Sequence, residues 1–333
     1  MIHKLSRATT YLQTFVINPS TGEHKLRSYA TGFFIRATNA LLLVTNWHVV
    51  TGLNPADPSL SSIPPPHYLK ATVIGKHGFV TELSLPLYGS SMTPLWEEHP
   101  SGSDVDIAIY PLPFTLENHF DFIDIHSAED DAVIAEKVAR DVFILGYPFS
   151  RDEMRDVFGE DAPYYIPVWK RGSIATEPAL RLGRRILLID SLSRAGMSGA
   201  PIVIAQDDKL LGAGNAANSD VFRCMLSGES SALDVIRQID TDALTEETVK
   251  RFRFLGVYSG TIGSTRLSEI ALGKCWHAET LRDLVENAQR GAMPYHAPVQ
   301  NEHYDAFFAQ FAGGELTLRS VDGKVVEKTR LYE

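Results

Sequence analysis

The feature that most limits how this chain can fold is its punctuation. Short runs of β-branched and aromatic residues recur along most of the sequence, and each is stopped after a few residues by Gly, Pro, Asn, Asp or Ser. Tyr11–Ile17 ends at Asn18-Pro19-Ser20-Thr21-Gly22. Ser28–Ile35 and Ala40–Thr45 follow, then a loop over Leu53–Pro66 with five prolines, then Ala71–Ile74 and Phe79–Tyr88. Ile107–Tyr110 comes just after Ser101-Gly102-Ser103. A second set begins at Val142–Leu145, is broken at Gly146-Tyr147-Pro148, and continues with Tyr165–Ile174, Arg185–Asp190 and Pro201–Ala205. Strands this short and this often interrupted favour a sandwich or barrel over alternating βα units. A length of 333 residues accommodates two such bodies, and the boundary is expected within Phe114–Lys137.

Helical periodicity is confined to a few places. In His277–Arg290, Leu281, Leu284, Val285 and Ala288 fall at i, i+3, i+4 and i+7, and Gly291 and Pro294 stop the run. A second helix is expected over Ala243–Phe252. The C-terminal segment reads as a separate piece: a helix over His303–Phe311, then a hairpin over Glu315–Leu331 turning at Asp322-Gly323. No internal repeat or low-complexity tract is visible.

Composition narrows the function classes. Apolar residues make up 44% of the chain, enough for a sizeable core, so disorder, collagen-like repeats and coiled coil are excluded as the main state. With 41 acidic and 31 basic residues the net charge is -10, which repels phosphate backbones, so no nucleic-acid partner is expected. No apolar run has the length of a membrane helix, and no membrane partner is expected. Met1–Thr10 lacks the apolar core of a signal peptide. Two cysteines, Cys224 and Cys275, rule out a disulfide framework. A reducing cytoplasm is therefore the expected location. The eleven histidines are scattered without zinc spacing, and Trp276-His277 reads as a helix start, so no metal is expected. No phosphate-binding or dinucleotide glycine loop is present, and no cofactor is expected. Arg181, Arg184 and Arg185 read as a solvated loop.

Three segments carry chemistry. The first is Thr45-Asn46-Trp47-His48-Val49-Val50, directly after an apolar strand. The second is Asp104-Val105-Asp106-Ile107-Ala108-Ile109, and the third is Gly196-Met197-Ser198-Gly199-Ala200-Pro201. A serine hydroxyl is a weak nucleophile until a neighbouring base takes its proton. Histidine suits that role because it titrates near neutrality. The imidazole needs a carboxylate on its other nitrogen to fix the tautomer and stabilise the imidazolium. Glycine beside the serine lets backbone N–H groups point at a developing oxyanion, where losing one donor typically costs about 3–4 kcal/mol. Asp104 and Asp106 both compete for the acid role; Asp106 abuts the Ile-Ala-Ile strand.

In this order the segments resemble those of chymotrypsin-fold (trypsin-like) serine proteases, closest in style to bacterial HtrA-type and other cytosolic trypsin-like peptidases. TNWHVV resembles the histidine segment, DIAI the aspartate segment and GMSGAP the GxSGGP serine segment. Gly32-Phe33-Phe34, Gly146-Tyr147-Pro148 and Leu255-Gly256-Val257-Tyr258-Ser259-Gly260 add to the likeness, which runs from about Thr10 to Gln289. The resemblance implies an all-β dominated fold of two six-stranded antiparallel β-barrels with a C-terminal helix and a small extension. Residues 1–125 would form the barrel carrying His48 and Asp106, residues 126–291 the barrel carrying Ser198, and residues 292–333 the extension. It implies a serine endopeptidase with His48 as general base, Asp106 as its orienting carboxylate and Ser198 as nucleophile, and with the N–H groups of Gly196 and Ser198 as the oxyanion hole. Ser259, Gly260 and Thr261 would pair with substrate backbone.

Three departures from the family pattern matter. Met197 precedes the serine where trypsin has an Asp that pairs with a newly cut N-terminus, so activation by N-terminal cleavage is not expected. Ala200 replaces the second glycine, a small change. Leu192 stands where an Asp selects Lys or Arg in trypsin-like relatives, so a modest preference for small or medium apolar residues before the cut is expected. Residues Gln206–Arg251 form an unusually long insertion, either a lid or partner-docking element or a passive surface excursion. Leu210-Leu211-Gly212-Ala213 competes with Gly256–Gly260 as the strand after the serine. A protein or peptide is the expected substrate, with an activating protein partner as a further possibility and the oligomeric state open. Two other classes stand against the peptidase. An α/β-hydrolase needs a long helix after the serine, where Pro-Ile-Val-Ile-Ala and a turn stand instead. A partner-gated or non-catalytic protease-fold binding module would keep the same three residues.

Overall fold

The structure, a computed structural model, describes residues 2–38, 40–60, 64–89, 91–126, 134–180, 185–191, 194–212, 215–227, 238–243, 245–261, 272–292, 301–310, 315–319 and 325–330. The first half holds β1 (Thr9–Ile17), β2 (His24–Arg36), β3 (Leu41–Thr45), β4 (Tyr68–Ile74), β5 (Val80–Pro86), β6 (Glu97–Glu98) and β7 (Ala108–Leu112). The second holds β8 (Asp141–Gly146), β9 (Val168–Ile174), β10 (Ile186–Asp190), β11 (Pro201–Gly212), β12 (Thr245–Thr261) and β13 (Leu272–His277). The two-residue β14 (Gln289–Arg290) and the pair β15 (Glu315–Arg319) and β16 (Val325–Arg330) complete the strands. The helices are α1 (Lys4–Arg7), α2 (Trp47–Thr51), α3 (Arg151–Phe158), α4 (Ala216–Leu226), α5 (Ala278–Asn287) and α6 (Glu302–Ala309).

The second set of strands closes into a six-stranded barrel, β10-β13-β12-β11-β8-β9. The first set does not repeat that closure. It forms an eight-stranded sheet in the order β14-β6-β7-β3-β2-β1-β4-β5, and a second closed barrel, expected from the resemblance, is not found among the described residues. The physical reason lies between β5 and β6. Pro86 ends β5 and has no N–H to give. The chain then turns back through Gly89 and Thr93, and the continuation of β5 meets the segment before β6 in a Leu95 N–H to Leu87 O bond of 2.9 Å and a single Tyr88–Pro94 bridge, short of a regular ladder, while β6 itself is only Glu97–Glu98. Its free side pairs instead with β14, the strand that follows α5.

Every residue of β3 is buried, which is why Leu41–Thr45 reads as a continuous apolar run and not as an alternation. Its flanks, β2 and β7, and the crossing β1 and β4 surround a core that includes Leu12, Phe34, Leu43, Trp47, Leu69 and Trp96. Tyr304 and Phe307 of α6 belong to that same core, and the Tyr304 hydroxyl lies 2.5 Å from Tyr88 O. The barrel has its own core, including Ile144, Leu187, Ile189, Met197, Ile202 and Leu255.

The chain divides into two compact units, residues 1–204 with 254–333, and residues 205–253. The second unit holds residues 205–212 of β11, 245–253 of β12, and α4. Ion pairs Lys250–Asp207 (2.7 Å) and Arg251–Asp208 (3.4 Å) join its two strand segments. Asn218 and Asp240 exchange hydrogen bonds at 2.9 Å. Of the helix expected over Ala243–Phe252, Ala243 ends a short 3-10 turn and residues 245–252 are strand, part of β12. Its Glu, Lys and Arg residues favour helix in isolation, but Thr245, Thr248, Val249 and Phe252 suit a strand, and pairing with β11 overrides local propensity.

The expected helix over His277–Arg290 is α5, with His277 as its N-cap accepting from Glu279 N. The expected helix near residue 303 is α6, capped by Asn301. β15 and β16 pair antiparallel, and the turn expected at Asp322-Gly323 lies outside the described residues.

Candidate active site

The register of β3 against β7 sets the first half of the site. Val44 faces Ile109 and Thr45 faces Ala108, so the residues just past Thr45 and just before Ala108 emerge side by side. Asn46 donates through Nδ2 to the carbonyl of Asp106 at 2.7 Å, tying the two chain ends together. α2 then makes a single turn, closed by Gly52 in the left-handed region, with Gly52 N–H donating to His48 O at 2.9 Å. That turn aims His48 at Asp106. His48 Nδ1 lies 2.8 Å from Asp106 Oδ2 and 3.0 Å from Oδ1, and the His48 main-chain N–H donates to Oδ1 at 2.9 Å.

Asp106 is 2% exposed, whereas 30% of the His48 side chain reaches solvent. A third donor, the Ser259 hydroxyl, reaches Asp106 Oδ2. A carboxylate only accepts, so three donors converge on it, with His48 Nδ1 turned to Asp106. Asp104, the competing acid, is exposed at the end of the turn Gly102–Asp104 and makes no hydrogen bond to His48 among the described residues.

The serine segment is a tight turn gripped from two sides. Thr31 N–H of β2 donates to Ser198 O at 2.8 Å, and the Thr31 hydroxyl donates to Gly196 O at 2.7 Å. On the other side Gly199 N–H donates to Tyr258 O at 2.9 Å, and Tyr258 N–H to Ala200 O at 2.8 Å. Both glycines are required where they stand. Gly196 has φ +91° and Gly199 φ +83°. A Cβ on Gly199 would lie 2.1 Å from Thr31 O and 2.5 Å from Thr45 Oγ1, and one on Gly196 would lie 2.1 Å from Tyr147 O.

Thr45 is three residues before His48, and Tyr258 precedes the Ser259 that holds Asp106. β12 thus touches both the serine turn and Asp106, and β3, which leads into His48, is tied to the gripping β2 by the Thr45 hydroxyl donating to Thr31 O at 2.8 Å. Ser198 is half-buried. Among the described residues, the N–H groups of Gly196 and Ser198 have no acceptor, and Ser198 Oγ makes no hydrogen bond, to His48 or otherwise.

The neighbours of Ser198 are fixed by packing. Met197 is 1% exposed and belongs to the barrel core, its sulfur close against Gly146. Ala200 is fully buried in the same core, which accommodates its methyl group. Of the positions expected to meet substrate, Ser259 is turned inward to Asp106, a role that sequence reasoning did not assign to it. The available signal was its small polar side chain beside Tyr258, which the strand alternation sends into the barrel core. Gly260 (φ +76°) borders open space and Thr261 is exposed. Leu192 lies outside the described residues. Cys275 is buried, and burial pushes its thiol far up, so it offers no thiolate nucleophile. No cluster of three or more His, Cys, Asp or Glu side chains among the described residues could hold a metal ion.

A closed six-stranded barrel accompanies a second sheet, a buried acid is paired with a histidine, and a glycine-rich serine turn is held between β2 and β12. The family of trypsin-like peptidase domains matches residues 30–212, more than half of the sequence, and the chain belongs to that family. It is thus a serine protease. No curated protein matches the chain.

Proposed function

We propose that this protein is a serine endopeptidase that cuts peptide bonds through His48, Asp106 and Ser198. The observation that carries the reading is the buried Asp106 carboxylate, held at once by His48 Nδ1, the His48 main-chain N–H and the Ser259 hydroxyl. In the first step His48 Nε2 takes the Ser198 proton as Oγ attacks the scissile carbonyl. The oxygen that gains charge is received by the N–H groups of Gly196 and Ser198, which have no partner of their own among the described residues. His48 then gives the proton to the departing amine and the acyl group remains on Ser198. Water repeats the sequence and releases the acid.

The substrate is a protein or peptide. Leu192 stands in the sequence where trypsin-like relatives carry the residue that selects the side chain before the cut, and a leucine there favours small or medium apolar residues modestly, by ~1–3 kcal/mol per methylene. Met197 is held by apolar packing, so the oxyanion site needs no ion pair with a freed N-terminus. Both cysteines are free, in keeping with work in a reducing cytoplasm.

The test is covalent labelling by a fluorophosphonate probe, expected on the wild-type chain and abolished in Ser198→Ala. Labelling that persists in that variant overturns the assignment of the nucleophile. One observation favours a second reading, a site gated by a partner: Ser198 Oγ makes no hydrogen bond to His48. Such contacts also lengthen in unliganded proteases. Labelling of the purified protein alone supports the constitutive enzyme; labelling only in lysate supports the gated one.

A further inference from the structure

A cavity of about 650 Å³ adjoins His48 and takes no part in the chemistry above. Its walls include Val16 of β1, Lys25 and Arg27 of β2, and Leu53 and Asn54 after α2. None comes from β12 or from the serine turn. The cavity and the proposed site share only His48.

The charge on these walls is one-sided. Lys25 and Arg27 line the cavity and no carboxylate does. Elsewhere several arginines sit on acids: Arg7 on Asp121, Arg36 on Glu117, Arg171 on Asp141 and Arg251 on Asp208. Among the described residues neither Lys25 nor Arg27 has an ion-pair partner. Arg27 Nη2 donates to Gly52 O at 2.9 Å, while Arg27 Nη1 is buried with no hydrogen-bond partner. Its burial disfavours the charged guanidinium. In a chain of net charge -10, an acid could readily have been placed there. Asp57, the acid of the neighbouring loop, is spent on the amide and hydroxyl of Ser59.

His48 hands its proton to the departing amine, so the part of the substrate beyond the cut passes over His48. A cavity that shares His48 and lies away from the acyl-side strand faces that part. We infer that this cavity is a specificity site for the leaving side of the substrate and that it takes a carboxylate, from an Asp or Glu side chain or from a chain terminus shortly after the cut. The inference rests on the peptidase reading for its orientation. The uncompensated cations supply the attraction, and the low-dielectric wall around Arg27 keeps it from being screened as an open surface charge would be.

The test uses fluorogenic peptides that share an apolar residue before the cut. Glu or Gln is moved through the first three positions after it, and the C-terminus is either free or amidated. At one position Glu is expected to exceed Gln in kcat/KM by about tenfold, or the free terminus to exceed the amide likewise, which identifies the source of the carboxylate. The preference shrinks at high salt. In Lys25→Gln/Arg27→Gln the ratio falls toward one, and in Lys25→Glu a Lys peptide gains on the Glu peptide. Lys25 is exposed, so that variant tests the charge even if Arg27→Gln loosens α2.

Ratios near one at every position, or a Glu preference that survives both variants, would overturn the inference. Fluorophosphonate labelling of wild type reads the peptidase proposal separately. Fluorescence anisotropy of the Ser198→Ala chain with the same Glu and Gln peptides reads the cavity without catalysis, and equal binding of the two also overturns it.

Discussion

Replacing Asp106 by Asn tests the proposed site most sharply, because size is kept and only one acceptor becomes a donor. Three donors meet the carboxylate: the His48 main-chain N–H at 2.9 Å, His48 Nδ1 at 2.8 Å and the Ser259 hydroxyl. The main-chain N–H cannot turn away, so the amide oxygen takes the Oδ1 position and the NH2 group takes the Oδ2 position. There it meets His48 Nδ1 and forces that atom to accept. The imidazole proton moves to Nε2, the atom that must take the Ser198 proton. Loss of the negative charge also leaves the imidazolium unsupported in the transition state. Together these are expected to lower kcat by about 10⁴, or ~5 kcal/mol at 1.36 kcal/mol per factor of ten. The assay is steady-state peptide hydrolysis beside the rate of fluorophosphonate labelling, with circular dichroism to confirm that the variant is folded. Asp104→Asn, at an exposed turn, is the control and should stay within about twofold. An Asp106→Asn enzyme within tenfold of wild type, or a large loss in Asp104→Asn, would refute the reasoning.

Three further perturbations probe the scaffold. Gly199→Ala puts a methyl group 2.1 Å from Thr31 O at φ +83°, and should cost about 2–4 kcal/mol in urea denaturation; an unmoved midpoint would contradict the fit described. Tyr304→Ala empties a fully buried place in the first core and should cost about 3–5 kcal/mol, whereas Tyr304→Phe should cost about 1 kcal/mol through lost hydrogen bonds to Tyr88; equal midpoints for the two variants would count against that packing. The hydrogen bond from His99, with a second from Asn287, holds the Asp283 carboxyl below its usual range. A depressed folded value gives stability that is present above the unfolded pKa of about 4 and is lost as pH falls through the folded one. Thermal melts of wild type and Asp283→Asn should therefore differ at neutral pH and converge on acidification; a gap that persists at pH 2.5 would show another cause.

What the sequence made legible was local. Tyr11–Ile17 and Ala40–Thr45 announce strands because β-branched and aliphatic or aromatic residues dominate them and turn residues bound Tyr11–Ile17 at Asn18-Pro19. The serine turn announces itself because Gly196 and Gly199 must adopt positive φ against close neighbours. The hidden parts are those in which distant segments decide. Ser259 reaches Asp106 across 153 residues of chain, and its one local mark, a small polar side chain beside the core-facing Tyr258, does not name the acid it meets. Residues 245–253 look helical by composition and become strand because β11 lies beside them. Some of what was missed was nonetheless written locally: Ser150 and Glu153 form a full capping box at the start of α3, a four-residue signal passed over between two strands. The absent acid beside Arg27 is different again, since an unpaired charge is a property of a surrounding volume and not of any stretch of sequence.

The segment after α5 is wired into the helix that carries His48. Trp47, the residue before His48, donates its indole N–H to Glu98 Oε2 at 2.7 Å, and Ala292 N–H donates to Glu98 Oε1 at 3.1 Å. Glu98 is buried, and burial raises its carboxyl above the usual range while these donors and Gln289 oppose the rise. A buried carboxylate stripped of two donors would take up a proton or draw in water. Either response changes what the Trp47 indole bonds to, one residue from the imidazole. β14 reinforces the link by adding Gln289–Arg290 to the edge of β6, beside the short strand that ends at Glu98. Further on, α6 sets Tyr304 and Phe307 into the core under β4 and β5. Chain that comes after the barrel thus packs on both ends of the first sheet, at β6 through β14 and under β4 and β5 through α6, in the half of the molecule that carries His48 and Asp106.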